Sequence, residues 1–537
     1  MFKNKSYSLI LCFLWIGFFA VPAFAQKTDK IRYSAEGSLE NGVRNGEKVK
    51  KLIQGVVFKQ KNTTIFSDSA YFYEDRNAIE AFGKVKIKEG DTITITGKNL
   101  LYDGDLKVAK MIGDVVYTDP TMTLYTDFLN YDMIAKLATY YNGGKLVDPE
   151  NTLTSLKGYY DTQAKFISFK EDVVLVNPEY TLNSDTLQYN TITKVAYARG
   201  PTNIVTNDST ILNTIEGTFN TTEKQSTFVK GEIVTENYIL SGDVLYGDDL
   251  QQYYTASENV KMVSLKDEVI ITGDQGWYRK SDGVTHVFGN SVMRKAVNKD
   301  TLYLSADTLV SIEQPGVNNK IILAFHDVKI FKSDLQGKSD SLSYNFSDST
   351  IYLYQQPVLW SEGNQILADS INIQMANNDI DRMNMTSNSF VISQDTIKNF
   401  NQIKGRDMVA FFRDSRIDRV NVYGNGESIY YVLEDTLTMG MNRSLSSNML
   451  IKFKDNKADR ITFYTKPDAS FIPPHEIKAP DTRLQGFKWY EELRPKKEDV
   501  LKPKSKVPGT EPISSESDLI LRGKSALPEL KKLTKKQ

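Results

Sequence analysis

Asp127-Phe128-Leu129-Asn130-Tyr131 and Asp185-Thr186-Leu187-Gln188-Tyr189 are two copies of one pattern, Asp-x-Leu-x-Tyr, and their spacing organises the chain. Each ends on a tyrosine of a series set 29 residues apart: Tyr73, Tyr102, Tyr131, Tyr160 and Tyr189. About ten residues after each tyrosine comes a Gly or an acidic residue and then a β-branched run. Gly83-Lys84-Val85-Lys86-Ile87, Gly113-Asp114-Val115-Val116-Tyr117 and Glu171-Asp172-Val173-Val174-Leu175 are examples. A period of this length is the signature of a repeat architecture, in which each unit buries its apolar face against the next.

Outward from this stretch the pattern continues in looser form. Asp-x-aliphatic returns at Asp307-Thr308-Leu309, Asp340-Ser341-Leu342, Asp369-Ser370-Ile371, Asp407-Met408-Val409 and Asp435-Thr436-Leu437, at intervals stretched by insertions in the turns. Between about 55 and 465 the chain reads as short strands punctuated by Gly, Asn, Asp and Ser, with clear alternation at Thr92-Ile93-Thr94-Ile95-Thr96. Alternation of period two marks strands with one face in a core and one in water. The expectation is all-β: an elongated two-sheet β-jelly roll, a stack in which each unit gives two short strands to each of two facing sheets. A repeated Asp beside a strand start bonds turn amides, and tyrosines at one position of successive units set register as an aromatic ladder.

Composition narrows the function classes. Lys and Arg number 66 against 67 Asp and Glu, for a net charge of −1, so the basic surface that neutralises phosphates in nucleic-acid binding is missing. Thr, Val, Ile, Tyr and Phe abound, which suits strands. Three histidines, His286, His326 and His475, are scattered without ligand spacing, so neither a zinc site nor a Ser-His-Asp triad is expected. No catalytic residue, metal or cofactor is assigned.

Residues 1–25 read as a cleavable signal peptide: Lys3 and Lys5, an apolar run from Ser8 to Val21, and Ala23-Phe24-Ala25 as the cleavage site. The single cysteine, Cys12, lies inside it, so a mature exported chain would fold without disulfides. Beyond it the expected organisation is a first jelly roll at 26–250, a diverged second one at 251–465, and a largely irregular Pro/Lys-rich tail at 466–537. That tail holds nine of the 16 prolines, a density that no strand ladder tolerates. Within it, Ile472-Pro473-Pro474-His475-Glu476-Ile477 and Leu484-Gln485-Gly486-Phe487-Lys488-Trp489-Tyr490 read as an apolar staple folding back on the last strand; docking on a partner is the alternative.

What the two sheets enclose decides the function. Bulky residues at every rung would seal the stack as a rod, whereas splayed sheets would leave an apolar trough, and periodicity does not separate the two. By alternation the inward positions are Val85, Ile87, Val115, Tyr117, Leu129, Val173, Leu175, Leu187, Tyr189, Val260, Met262, Val328, Ile330, Val358 and Trp360.

The signal segment, the Ser-Asp-x-Leu-x-Tyr units (cleanest at Ser184–Tyr189) and the Gly-x-Val strands resemble the OstA-like/LptA periplasmic lipopolysaccharide-transport proteins. The resemblance is strongest over about 30–250. It implies a V-shaped jelly roll in the periplasm, associated with the outer membrane, whose groove shelters lipopolysaccharide acyl chains without breaking a bond. It also implies edge-strand pairing with inner- and outer-membrane components and head-to-tail self-association. The inward residues above then become candidate groove residues. The length of this chain and its Pro/Lys tail depart from the family. The rival expectation is a sealed β-solenoid acting as a structural or adhesive rod.

Overall fold

The computed structural model describes residues 29–501, except 237, 298–299, 314–319, 378, 414–415 and 455–456. The expected signal segment and the last part of the tail lie outside the described residues. The chain divides between Pro178 and Glu179 into two compact units. Strands Tyr238–Asp248, Tyr253–Ser264 and Val269–Arg279 pair continuously through residue 250.

Many repeats are two antiparallel strands of ten to fourteen residues, such as Thr63–Tyr73 with Ala78–Glu89, and Tyr180–Asn190 with Val195–Thr206, whereas at 137–161 and 350–413 the halves are separate strands of four to eight residues. In the long pairs the four short strands expected per unit are these two, each bent at its middle so that one half lies in each facing sheet. The bend is a β-bulge. Phe82 pairs with Asn99 and Val85 with Gly97, so Gly83 and Lys84 oppose the single residue Lys98. A bulge of this kind twists and bends its strand. The bulged residues have positive φ: Gly83 (74°) with Lys84 (42°), Gly113 (81°) with Asp114 (48°), Gly289 (71°) with Asn290 (52°). Such a backbone disfavours most L side chains, which is why the motif supplies Gly, Asn or Asp there.

The Asp of Ser-Asp-x-Leu belongs to this corner. A Cβ added at Gly83 would stand 2.5 Å from Asp68 Oδ2, so the carboxylate lies directly over the bulge. Where Asn occupies the bulge it donates to the same carboxylate, Asn259 to Asp243 (2.6 Å), Asn290 to Asp274 (2.9 Å) and Asn388 to Asp369 (2.9 Å). The preceding hydroxyl donates to the carbonyl two residues on, as Ser184 Oγ to Thr186 (3.1 Å) and Ser446 Oγ to Asn448 (2.8 Å). The repeated motif is therefore a device for turning from one sheet into the other, and the repeated Asp bonds the corner rather than turn amides.

The tyrosine series is partly as expected. Tyr102, Tyr131 and Tyr160 share one inward row, but each is separated from the next by a small residue on the intervening strand, Ala109 and then Ala138. Tyr117 enters from the opposite sheet and meets the edges of Tyr131 (6.3 Å) and Tyr160 (6.1 Å). The ladder is thus an interdigitation across sheets. Tyr73 does not belong to it: Phe72 pairs through Ile79 to Tyr102, which leaves Tyr73 on the outer face with Val49 and Ala78.

In unit 2 the strands from Val284 to Tyr464 enclose one apolar core that includes Met293, Leu304, Ile330, Leu359, Met385 and Ile451. Beyond it the start of the tail is a strand, Asp468–Ile472, paired with Met441–Leu445. From Pro473 the chain turns back through 3-10 turns and returns along the outer face of the sheet. Two glutamines with no solvent exposure hold it. Gln402 donates to Thr482 O (2.8 Å) and accepts from Leu484 N (2.9 Å), while Gln365 donates to Lys488 O (2.7 Å) and accepts from Tyr490 N (2.6 Å). A primary amide offers both a donor and an acceptor, so it replaces a strand partner for a segment that forms none. Gln336 accepts from Arg494 Nε (2.8 Å) further along. Leu484, Phe487 and Trp489 pack on Phe390, Ile392, Ile429 and Tyr431, so the staple folds back over several strands.

Candidate binding trough

Two stretches use the same bent strands and differ in what fills the angle between the halves. In unit 1 the inward residues of adjacent strands, Ile65, Ile87, Ile95, Tyr117 and Leu124, are all buried. In unit 2 the corresponding row on strands Tyr180–Asn190 to Tyr253–Ser264 is Leu182, Ile204, Leu212, Ile233, Leu240 and Met262, of which only Leu182 is buried. Only Phe228, Leu245, Ala256 and Val260, close to the corner, form a buried cluster there. The partly buried apolar row that packs above them, Ile204, Leu212, Ile233 and Leu240, marks the candidate trough.

The row nearest the mouth explains the difference. In unit 1 it carries Tyr102, Tyr131 and Tyr160, whose large rings span the gap. Their hydroxyls or their turns then meet polar groups of the opposite sheet. Tyr102 Oη donates to Gln60 Oε1, and Tyr160 Oη to Asp119 Oδ2 (2.8 Å); Lys136 pairs with Glu89 (2.5 Å). Gln60 also donates to Gly104 O (2.8 Å) in the facing turn. Burial first, and then the Glu89 and Asp119 carboxylates, push the tyrosine hydroxyls well above the ordinary phenol range, so they remain neutral donors. In unit 2 the same row reads Tyr189, Ala196, Phe219, Ser226, Gly247 and Tyr254. Two of its members, Ser226 and Gly247, are adjacent and too small to reach across. Tyr180 meets Phe219 edge-on at 6.3 Å, and Lys224 pairs at 3.5 Å with Glu179, which is largely exposed.

The trough stops where the ion pair Lys320–Asp267 (2.5 Å) ties the two sheets together again. Beyond it the inward row is buried once more through Met293, Leu304 and Ile330.

The fifteen inward positions read from the sequence distribute as follows. Val85, Ile87, Val115, Tyr117, Leu129 and Val173 are buried in unit 1, with Leu175 half-buried. Leu187, Tyr189, Val260 and Met262 line the trough stretch, Tyr189 and Met262 being half-exposed. Val328 and Ile330 sit in the closed core. Val358 and Trp360 do not face inward. Leu359 pairs with Gly337 beside Ile330 and takes the core position, so its neighbours point to the outer face, where Trp360 pairs with Gln336 and Gln365. The positive-φ pair Gln355–Gln356 precedes this strand and shifts its alternation by one residue. Ile204, Leu212, Ile233 and Leu240, which shape the trough most, were not among the expected residues. The period held the signal: steps of 29 from Leu153 and Leu182 reach Ile211, one short of Leu212, and then Leu240. Among the described residues no group of three His, Cys, Asp or Glu is placed to hold a metal ion.

Residues 28–185 match the family described as OstA-like protein. Among solved structures the chain is similar to LptH, the LptA-homologous periplasmic component of the conserved lipopolysaccharide transport device from Pseudomonas aeruginosa. That likeness has 17% identity over 18% of this chain and 76% of the other, with a TM-score of 0.17. No curated protein matches the chain. The matched stretch, residues 28–185, carries the Asp-x-Leu-x-Tyr repeat at Asp127–Tyr131 and the bent, paired strands of unit 1.

Proposed function

We propose that the chain is a non-enzymatic periplasmic carrier that shelters the acyl chains of lipopolysaccharide in the trough formed by residues 180–264 and passes the lipid toward the outer membrane. The observation that carries this reading is the half-exposed apolar row Ile204, Leu212, Ile233, Leu240 and Met262 between two stretches whose equivalent rows are buried. Exposing that row to water is unfavourable by roughly 25 cal/mol per Å². An acyl chain gains about 0.8 kcal/mol for each CH₂ it buries, so chain and wall satisfy each other. Transfer of this kind breaks no bond, which agrees with OstA-like proteins as carriers.

Strand addition is the proposed means of contact with inner- and outer-membrane components and with further copies. The strand Leu39–Arg44, second in the chain after Arg32–Ser34, and the strand Asp468–Ile472 are each paired on one side among the described strands. They expose Val43 (72%) and Phe471 (54%). The rival, a sealed rod, draws support from unit 1, where the inward row is closed throughout.

Mass spectrometry of lipid co-purified with the native protein separates them. Lipid A-type species in proportion to protein, crosslinking to a photoreactive residue at 233 or 240 and not at 87, support the carrier. Lipid-free protein that takes up no added lipopolysaccharide supports the rod.

A further inference from the structure

We propose that the closed end of the trough is an anion site for the phosphate headgroup of the amphiphile whose chains the trough holds. This rests on the carrier reading and adds to it where the head is fixed and by which residues. Two ammonium groups meet at this end. Lys320 Nζ pairs with Asp267 Oδ2 at 2.5 Å and lies 3.4 Å from Ser264 Oγ; Lys295 Nζ donates to the Asp267 carbonyl at 3.1 Å. Both stand near one aromatic ring, 5.4 and 5.3 Å from the centre of Phe346. Lys320 is also 5.5 Å from the ring of Tyr238, the first residue of a trough strand. Ser264 is the last residue of another, so the charges stand at the end of the trough itself.

A cavity of about 380 Å³ opens beside Lys295. Lys295, Ser349 and Asn377 give it polar groups, and Leu302, Ile351 and Met375 give it an apolar floor. Asp267 is paired with Lys320, and Asp267 and Glu268 act on Lys295 without forming an ion pair with it among the described residues. Burial pushes the Lys295 ammonium below its ordinary range; the Asp267 and Glu268 carboxylates oppose that shift and Lys320 adds to it. A phosphate monoester carries −1.5 to −2 charges at neutral pH and several acceptor oxygens. It would balance Lys295 and leave the Lys320–Asp267 tie in place. The apolar floor, continuous with the half-buried Met262, selects a headgroup with chains attached over free phosphate.

The test measures binding of a phosphorylated lipid A-type amphiphile and of its dephosphorylated counterpart to the full chain and to Lys295→Gln and Lys295→Arg. Charge-assisted bonds of this kind are worth about ten-fold in affinity or more. The wild-type protein is expected to prefer the phosphorylated probe by about that factor. Lys295→Gln should remove the preference while leaving the dephosphorylated probe unchanged, and Lys295→Arg should retain it. A second measurement needs no variant: bound phosphorylated probe should protect Lys295 from acetylation, read by mass spectrometry, and the dephosphorylated probe should not. Equal affinity for both probes overturns the headgroup site while the carrier reading stands. Protection by inorganic phosphate alone also overturns it, assigning the cavity to free phosphate. Failure of both amphiphiles to bind overturns the carrier reading and this one with it.

Discussion

Unit 1 and the first six strands of unit 2 have the same backbone plan and opposite interiors. Both bend each long strand at a positive-φ bulge, and both line the deep row with large aliphatic residues. At the row by the mouth, Tyr102, Tyr131 and Tyr160 in one stretch correspond to Tyr189, Phe219 and Gly247 in the other, with Ala109 and Ala138 matched by Ala196 and Ser226. The choice of a ring or a glycine at this row is what distinguishes the two. The corner motif that identifies the fold says nothing about that choice.

The contrast breaks first by truncation. Tyr131→Ala removes a ring with no solvent exposure and should cost about 3–5 kcal/mol in unfolding by denaturant. Phe219→Ala, at the matching row of the trough, should cost about 1 kcal/mol or less. Equal losses would mean that the two interiors are filled alike. A charge sharpens the same point. Ile87→Asp should prevent unit 1 from folding, because it buries a carboxylate without a partner. Leu240→Asp should leave the fold intact and abolish lipid uptake, read by native mass spectrometry.

Plugging the trough is the milder change. Ser226→Tyr places a ring next to Gly247, as Tyr131 lies next to Ala109, and should lower lipid uptake several-fold with the melting temperature unchanged or raised by a few degrees. Faster uptake would show that the mouth row does not gate access. The smallest effect expected is a pH dependence confined to unit 2. His286 stacks on Trp277 at 4.0 Å, and burial, with Arg279 nearby, lowers its pKa to about 4. The neutral ring is favoured in the folded state, so its contribution is complete above about pH 6.5 and lost as pH falls toward 4. Denaturation midpoints of wild type and His286→Phe should converge at high pH and separate in favour of the variant below 6.

The fold was legible because the corner is a local device. Gly or Asn at the bulge, Asp across from it and a hydroxyl before that Asp are all short-range requirements, so they recur at a countable interval. Inward positions were legible wherever no irregularity intervened, as at Ile87 and Val328. They failed at Trp360, because the bulge before Val358 reverses the faces and the strand is buried on both. Openness was not legible. Leu240 and Leu124 look alike in sequence, yet one is partly exposed and the other buried.

The returning C-terminal segment has a consequence for how the protein is made. Gln365 and Gln402 wait for partners at 488–490 and 482–484, which are 80 to 125 residues later in the chain. Until those residues arrive, Phe390, Ile392, Ile429 and Tyr431 stay uncovered on a finished sheet. The final section of unit 2 is thus completed only once residues 482–490 have emerged, and a product cut short before Leu484 leaves that surface bare for quality-control proteases to find.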